Sequence, residues 1–349
     1  MMRENQLEDG VHLHCQNSTI YLTNMTTAPI IVFAYNRADH LRKTLTWLGQ
    51  NELADQSTLY VYCDGAKPNA TEEQLAKVKA ARQVAHEIAV VPTFKEVHII
   101  ERTENLGLGT SIITGVTEII NKYGKVIVLE DDLETSPYFL SYMNQCLDHY
   151  EPRNSVFSIS GLSRPHPERF YPKDYPYDVY VSLTHHPTGW GTWADRWNQV
   201  DWDVKDFATV KNDPQMIQAF RRAEHCQYDE LVWAIANKKN LWAARFAFAH
   251  FVNHAVSICP IVSYINHIGW DAEGTNATAG AQQWAFERLA DNANIRFLDV
   301  LYEDSRIINS WYSFSIKKPR SIWGKFKNWY GRKFLHRDEF ALKGKVYAE

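Results

Sequence analysis

The chain has 349 residues, 45% of them hydrophobic and 13% aromatic, and a formal charge of −4 at pH 7. That composition buries one large core or two coupled ones and excludes a disordered or fibrous chain. The near-neutral balance excludes bulk attraction to nucleic acid, so no nucleic-acid partner is expected.

Residues 29–35 read as a strand, and Asn36, Arg37, Ala38 and Asp39 open a helix through Leu48. Residues 59–63 read as a second strand that ends at Asp64 and Gly65. A long helix follows, capped near Asn69 or Thr71 and running to about Ala89, with Glu72 and Glu73 at its positive end. Residues 95–100 form the third strand. A turn over residues 102–109 then opens a helix to Tyr123. Next, four aliphatics (Val126, Ile127, Val128, Leu129) end abruptly in Glu130, Asp131 and Asp132, and a helix runs from Ser136 and Pro137 to about Tyr150. Four alternations of strand and helix predict a right-handed, mainly parallel, doubly wound α/β sheet.

The acidic strand end carries the chemistry. Ligands bind at the carboxyl ends of strands in such sheets, and three adjacent acids there need a counter-charge. Mg²⁺ or Mn²⁺ shared with a diphosphate supplies it, because these ions take oxygen ligands and use few protein carboxylates beside phosphates. The other strand ends are also polar. Arg37 either reaches a diphosphate or base edge or is a surface residue, and Asp64 accepts from a base N–H or a ribose hydroxyl. Asn105 orients a loop or the nucleotide, or simply forms the turn. Gly107 and Gly109 lack the third glycine of a dinucleotide fingerprint and read as helix-start packing.

Together, residues 30–37, Cys63-Asp64-Gly65, Asn105-Leu106-Gly107 and residues 128–134 resemble GT-A glycosyltransferases. The resemblance is strongest to the N-acetylglucosaminyltransferase I group, with Glu-Asp-Asp in place of Asp-x-Asp, and extends to bacterial family 2-like transferases of surface polysaccharide assembly. It implies that Asp132 binds the metal, that Asp131 contacts the ribose or the metal shell, and that Glu130 approaches the donor sugar. It also places Gly189, Trp190 and Gly191 beside the donor pocket, with Trp190 as a platform; the residues alone leave open a Trp-rich corner with an Asp195–Arg196 ion pair. Residues 227–236 read as a helix with positions 231, 232 and 235 facing inward and Asp229 and Glu230 in its first turn. The resemblance makes Asp229 the base of an inverting displacement, with Glu230 as the substitute. Residues 256–276 are similar to a tail that closes over the donor, which puts Asn266 and His267 near diphosphate or metal and a lid over residues 269–280.

From 317 to 345 the chain carries ten Lys or Arg against two acids, with aromatics at 323, 326, 330 and 334. That spacing is helical, and the segment either lies on an anionic membrane surface or packs on the catalytic domain. Five cysteines (Cys15, Cys63, Cys146, Cys226, Cys259) without C-x-x-C spacing fit reduced thiols. No signal peptide or apolar run of 18 residues is visible, so a cytoplasmic protein, soluble or peripheral at the membrane face, is expected.

The sequence therefore predicts a GT-A type sheet with an irregular acceptor-side half and a basic C-terminal helical segment. Its divisions are a polar extension (1–27), a nucleotide-sugar half (28–160), an acceptor and catalytic half (161–310) and the basic segment (311–349). The expected activity is metal-dependent, inverting transfer of a sugar from a nucleoside-diphosphate donor, UDP-linked, to a glycan or lipid-linked acceptor. A sugar-1-phosphate nucleotidyltransferase and a non-catalytic membrane-docking subunit are the alternatives; the first strand lacks the Gly- and Lys-containing phosphate loop of the former.

Overall fold

A computed structural model describes residues 26–164, 170–224, 226–269 and 288–315. Its centre is an eight-stranded sheet of order β3-β2-β1-β4-β8-β6-β9-β7. The strands of its first part are β1 (Ile30–Ala34), β2 (Thr58–Cys63), β3 (Glu96–Glu101) and β4 (Lys125–Glu130). All four run parallel, with β1 between β2 and β4, and every residue of β1 is buried, as a strand covered on both faces requires. Helices α1 (Ala38–Gly49), α2 (Glu72–Ala89) and α3 (Leu108–Tyr123) make the crossovers. Each forms for a local reason. Leu41, Leu45 and Leu48 give α1 one buried stripe; Thr71 and Gln74 close a reciprocal capping box on α2; Gly124, at φ +83°, ends α3 in the left-handed conformation that glycine tolerates.

The chain then adds β5 (Leu133–Thr135), α4 (Phe139–Tyr150), β6 (Val156–Ser160), β7 (Val179–Ser182) and β8 (Trp190–Trp193). Short helices α5 (Ala194–Trp197) and α6 (Phe207–Val210) lead to α7 (Pro214–Ala223), α8 (Gln227–Ala236) and α9 (Trp242–Val252). Strands β9 (Val256–Pro260) and β10 (Ile265–His267) and helix α10 (Ser305–Ser315) complete the described elements. Strand β8 pairs antiparallel with both β4 and β6, so β6 runs in the direction of β4. The carboxyl ends of β1, β2, β4 and β6 therefore share one edge of the sheet. The α/β, mainly parallel architecture is as the sequence predicts, and the sheet continues from the first half into the second without a break.

Two apolar clusters cover the two faces. One packs α1, α2 and α4 against β1, β2 and β4; the other packs α3 and α9 around Trp190, Trp197 and Trp242. Inside the second half, the Ser158 hydroxyl lies 2.9 Å from His250 Nε2 and 3.3 Å from His185 Nδ1. His250 Nδ1 donates to the Phe246 carbonyl at 2.8 Å, so its Nε2 accepts from serine. The inward face of α8 differs from the sequence pattern: Gln227, Leu231 and Ala234 are buried, while Ile235 is exposed, because the helix packs on α7 and α9 through the 227/231/234 stripe.

Candidate nucleotide-sugar site

At the shared strand edge lies an open cleft of about 280 Å³ walled by the ends of β1, β2 and β4 and the start of α3. Arg37, Asp64, Asn105, Glu130, Asp131 and Asp132 all line it. Six residues that are up to 95 positions apart in sequence are thus gathered in one concavity, as the strand-end reading requires.

The acidic turn is held from beneath by Thr44 of α1. This fully buried hydroxyl donates to the Asp131 carbonyl at 2.9 Å and accepts from the Leu133 N–H at 3.0 Å. Nothing in the sequence pattern marks Thr44, since a threonine in mid-helix reads as filler. Above the turn, β10 pairs antiparallel with β5 and sets His267 opposite Leu133. His267 Nδ1 accepts from the Gly269 N–H at 3.1 Å, which leaves the proton on Nε2, 3.6 Å from Asp132 Oδ2. Burial holds the His267 pKa below its usual value against the opposing pull of Asp132. Asn266 donates to Glu134 Oε2 at 2.9 Å and faces away from Asp132 along the strand pair.

Charge in this corner is crowded. Burial, with Asp132 and Asp131 adding to it, pushes Glu130 up to about 8; burial and Asp132 push Asp131 up to about 7. Arg37 Nη1 forms a 2.7 Å ion pair with Asp132 Oδ2. The other carboxylate oxygen, Asp132 Oδ1, is buried and accepts no hydrogen bond. A buried, unpaired carboxylate oxygen is costly unless something neutralises it, and a hard divalent cation is the fitting ligand. Among the described residues, no three His, Cys, Asp or Glu side chains are gathered so as to hold an ion by themselves. The donor set present suits an ion that completes its shell from a ligand.

Across the cleft, Asp64 and Asn105 build the wall. Asp64 Oδ1 accepts from the N–H groups of Gly65 (3.0 Å) and Leu106 (2.9 Å), and Oδ2 from Gly107 (3.0 Å). Asn105 Nδ2 donates to the Gly65 carbonyl at 2.8 Å. Both side chains tie the second strand's end to the start of α3, so Asn105 orients the loop. The cleft also takes in Tyr35, Lys67 and Ser111, which the sequence reading did not single out. Ser111 follows Gly107 by one helical turn, and that spacing is the available signal.

Burial bears on three of the expectations. Trp190 is not a platform: it is 1% exposed, stacks on Trp197 and Trp242, and sits on a strand hydrogen-bonded on both sides. Gly191 and Gly189 serve packing beside it, since a Cβ would meet Val126 O at 2.9 Å in the first case and Ile265 Cδ1 at 2.3 Å in the second. Neither Asp229 nor Glu230 is part of the cleft lining: Asp229 is buried on α8 in a 2.6 Å ion pair with Arg221, and Glu230 beside it keeps partial solvent contact. The Asp195–Arg196 pair exists, at 2.7 Å, with the guanidinium over Trp193. Beyond Gly269 the expected lid, and the basic segment from 317, lie outside the described residues. Among the described residues, no helix is long and apolar enough to cross a membrane.

Fold and site together define an α/β protein with a nucleotide-sized cleft at the acid-tipped end of a parallel strand. Residues 2–208, more than half of the chain, match the profile of the GNT-I family, and the chain belongs to that family. It is similar to the alpha-1,3-mannosyl-glycoprotein 2-beta-N-acetylglucosaminyltransferase of Arabidopsis thaliana, with 24% identity over 238 residues, covering 64% of this chain and 51% of that protein. The chain thus spans about half the length of that curated relative. Similar solved structures include residues 1–349 of S. aureus TarS (10% identity, TM-score 0.37, 69% of this chain and 60% of that). LgtC is another, with 12% identity, TM-score 0.33 and coverage of 73% of this chain and 93% of that.

Proposed function

We propose that this protein is a metal-dependent, inverting glycosyltransferase that takes its sugar from a UDP-linked donor and transfers it to a glycan or lipid-linked acceptor. The observation that carries the reading is the Asp132 carboxylate in the strand-edge cleft, with Oδ1 buried and unpartnered beside Glu130 and Asp131. Asp132, with Asp131, would hold Mn²⁺ or Mg²⁺, and the bound ion would neutralise charge on the departing diphosphate. Arg37 adds a guanidinium suited to phosphate oxygens, and Glu130 faces the sugar. Thr44 fixes the acidic turn, and Asp64 and Asn105 fix the opposite loop, so both walls are set before a ligand enters.

Of the two candidate bases on α8, Asp229 and Glu230, both in the first turn at the positive helix end, Glu230 is taken as the base because it keeps partial solvent contact while Asp229 is buried. Glu230 would take the acceptor hydroxyl proton as that oxygen attacks the anomeric carbon opposite the leaving diphosphate. Placing the chain in surface polysaccharide assembly, and the basic segment on an anionic membrane, belongs to the same reading. The test is calorimetric titration with UDP. Binding that needs Mn²⁺ and disappears in Asp132→Ala supports the proposal; equal UDP affinity with and without the ion rejects it.

A further inference from the structure

The oxygen of Asp132 that points to Arg37 is Oδ2, and its surroundings are built from three elements. Arg37 Nη1 approaches it from the end of β1 at 2.7 Å, with the two side chains only 17% and 8% exposed. His267 Nε2 stands 3.6 Å away on β10. The backbone of residues 268–269 closes the remaining side: the Ile268 N–H donates to the Asp132 carbonyl at 2.9 Å. A Cβ on Gly269 would fall 2.1 Å from Asp132 Oδ2 and 3.0 Å from Arg37 Nη1. The guanidinium is thus seated in a fitted position on the carboxylate expected to hold the metal.

We propose that Arg37 is a resident counter-cation. It holds Asp132 in the nucleotide-free protein and moves to the diphosphate when metal and nucleotide arrive together. The inference rests on the nucleotide-sugar reading above and adds to it a rule for how the two ligands bind. An arginine cannot release its charge as a lysine can, so a divalent ion entering alone must either share the carboxylate with a fixed positive charge or expel it into solvent. A diphosphate offers the fork a bidentate partner of matching shape and leaves Asp132 to the ion. Arg37 offsets the Asp132 charge before binding; afterwards the dication and Arg37 together face the carboxylates of the acidic turn and the negative charges of a nucleoside-diphosphate sugar. Metal and nucleotide therefore raise each other's affinity, and part of that coupling resides in Arg37.

The experiment measures Mn²⁺ binding to the full chain by electron paramagnetic resonance, with and without UDP, for wild type, Arg37→Met and Arg37→Gln. The methionine keeps the length of the stem without charge. The expected result is Mn²⁺ binding about tenfold tighter than wild type in the nucleotide-free variants, with UDP affinity in Mn²⁺ about tenfold weaker, within the usual range of site coupling. Mn²⁺ alone should also raise the melting temperature of the variants more than that of wild type, which reads the same exchange in a folded protein. Unchanged or weaker Mn²⁺ binding in both nucleotide-free variants overturns the inference. Asp132→Asn separates the two levels. If it leaves Mn²⁺-supported UDP binding intact, the proposed site itself is wrong; if it abolishes that binding while the Arg37 variants gain no affinity for the ion, only the counter-cation role falls.

Discussion

Thr44 shows how a single hydroxyl positions chemistry it never touches. Because it satisfies the Asp131 carbonyl and the Leu133 N–H at once, Thr44→Val should leave two buried backbone groups unpaired and cost about 1–3 kcal/mol per unsatisfied group. Chemical denaturation reads that loss, and a variant as stable as the parent would show the turn to be held by other means. The two carboxylates of α8 make a sharper contrast. Glu230→Gln should keep UDP binding and lose transfer by about 10²–10⁴-fold, the scale of a general base. Asp229→Asn should mainly lose stability, because it breaks the buried pair with Arg221. Steady-state rates beside melting curves distinguish them; a selective loss of turnover in Asp229→Asn would return the base to that residue.

At the scale of elements, what was legible followed from local period and punctuation. The alternation from β1 to α4 is written in apolar runs that end in polar or glycine residues, and the predicted ends fall within a few residues of those observed. Helix α3 ends at Tyr123 because Gly124 follows, and α2 starts after Thr71 because Thr71 and Gln74 cap it. Thr71→Ala should therefore cost about 1 kcal/mol in denaturant unfolding, and no change would mean that packing alone sets that helix start. Strand β8 was not legible. Glycine and tryptophan carry no period-two signal, and its place between β4 and β6 is fixed by distant partners: Gly191 is in register with Ile159, 32 positions away, and with Ile127, 64 positions away. Hence Trp190 resembled a ligand platform when it is core. Trp190→Ala should destabilise by about 3–5 kcal/mol, as expected for a large buried side chain. An Ala variant that unfolds like wild type but loses donor binding would restore the platform. Likewise, the placement of Gly269 on Asp132 is a contact between distant segments that no window of sequence contains, whereas the Arg221–Asp229 pair spans only eight residues and depends on how α7 and α8 pack.

For the molecule as a whole, the same burial that builds the core sets its response to acid. His186 and His250 are both held down to about 4, first by burial, and His185 is lowered by burial with His250 adding to it. A histidine whose folded pKa lies below its unfolded value contributes stability that is intact above about 6.5 and is lost as pH falls toward 4, because only the unfolded chain takes up the proton. Glu130, Asp131 and Glu224, raised to about 8, 7 and 7, act with opposite sign and gain stability for the fold as pH falls from 8 toward the ordinary carboxylate range. The two sets partly cancel, so the test is differential. Between pH 7.5 and 5.0, His250→Gln should lose less stability than the parent, by up to about 2 kcal/mol. Parallel urea midpoints in the two proteins would show instead that His250 charges freely in the fold.

All of these scales meet at one carboxylate. Anomalous diffraction from crystals grown with Mn²⁺ and UDP tests its role most directly. The account predicts a manganese peak within bonding distance of Asp132, about 2.1 Å from a carboxylate oxygen, bridged to the UDP diphosphate with Arg37 drawn onto the phosphates. A nucleotide bound elsewhere, or a manganese peak away from the turn after β4, would contradict it.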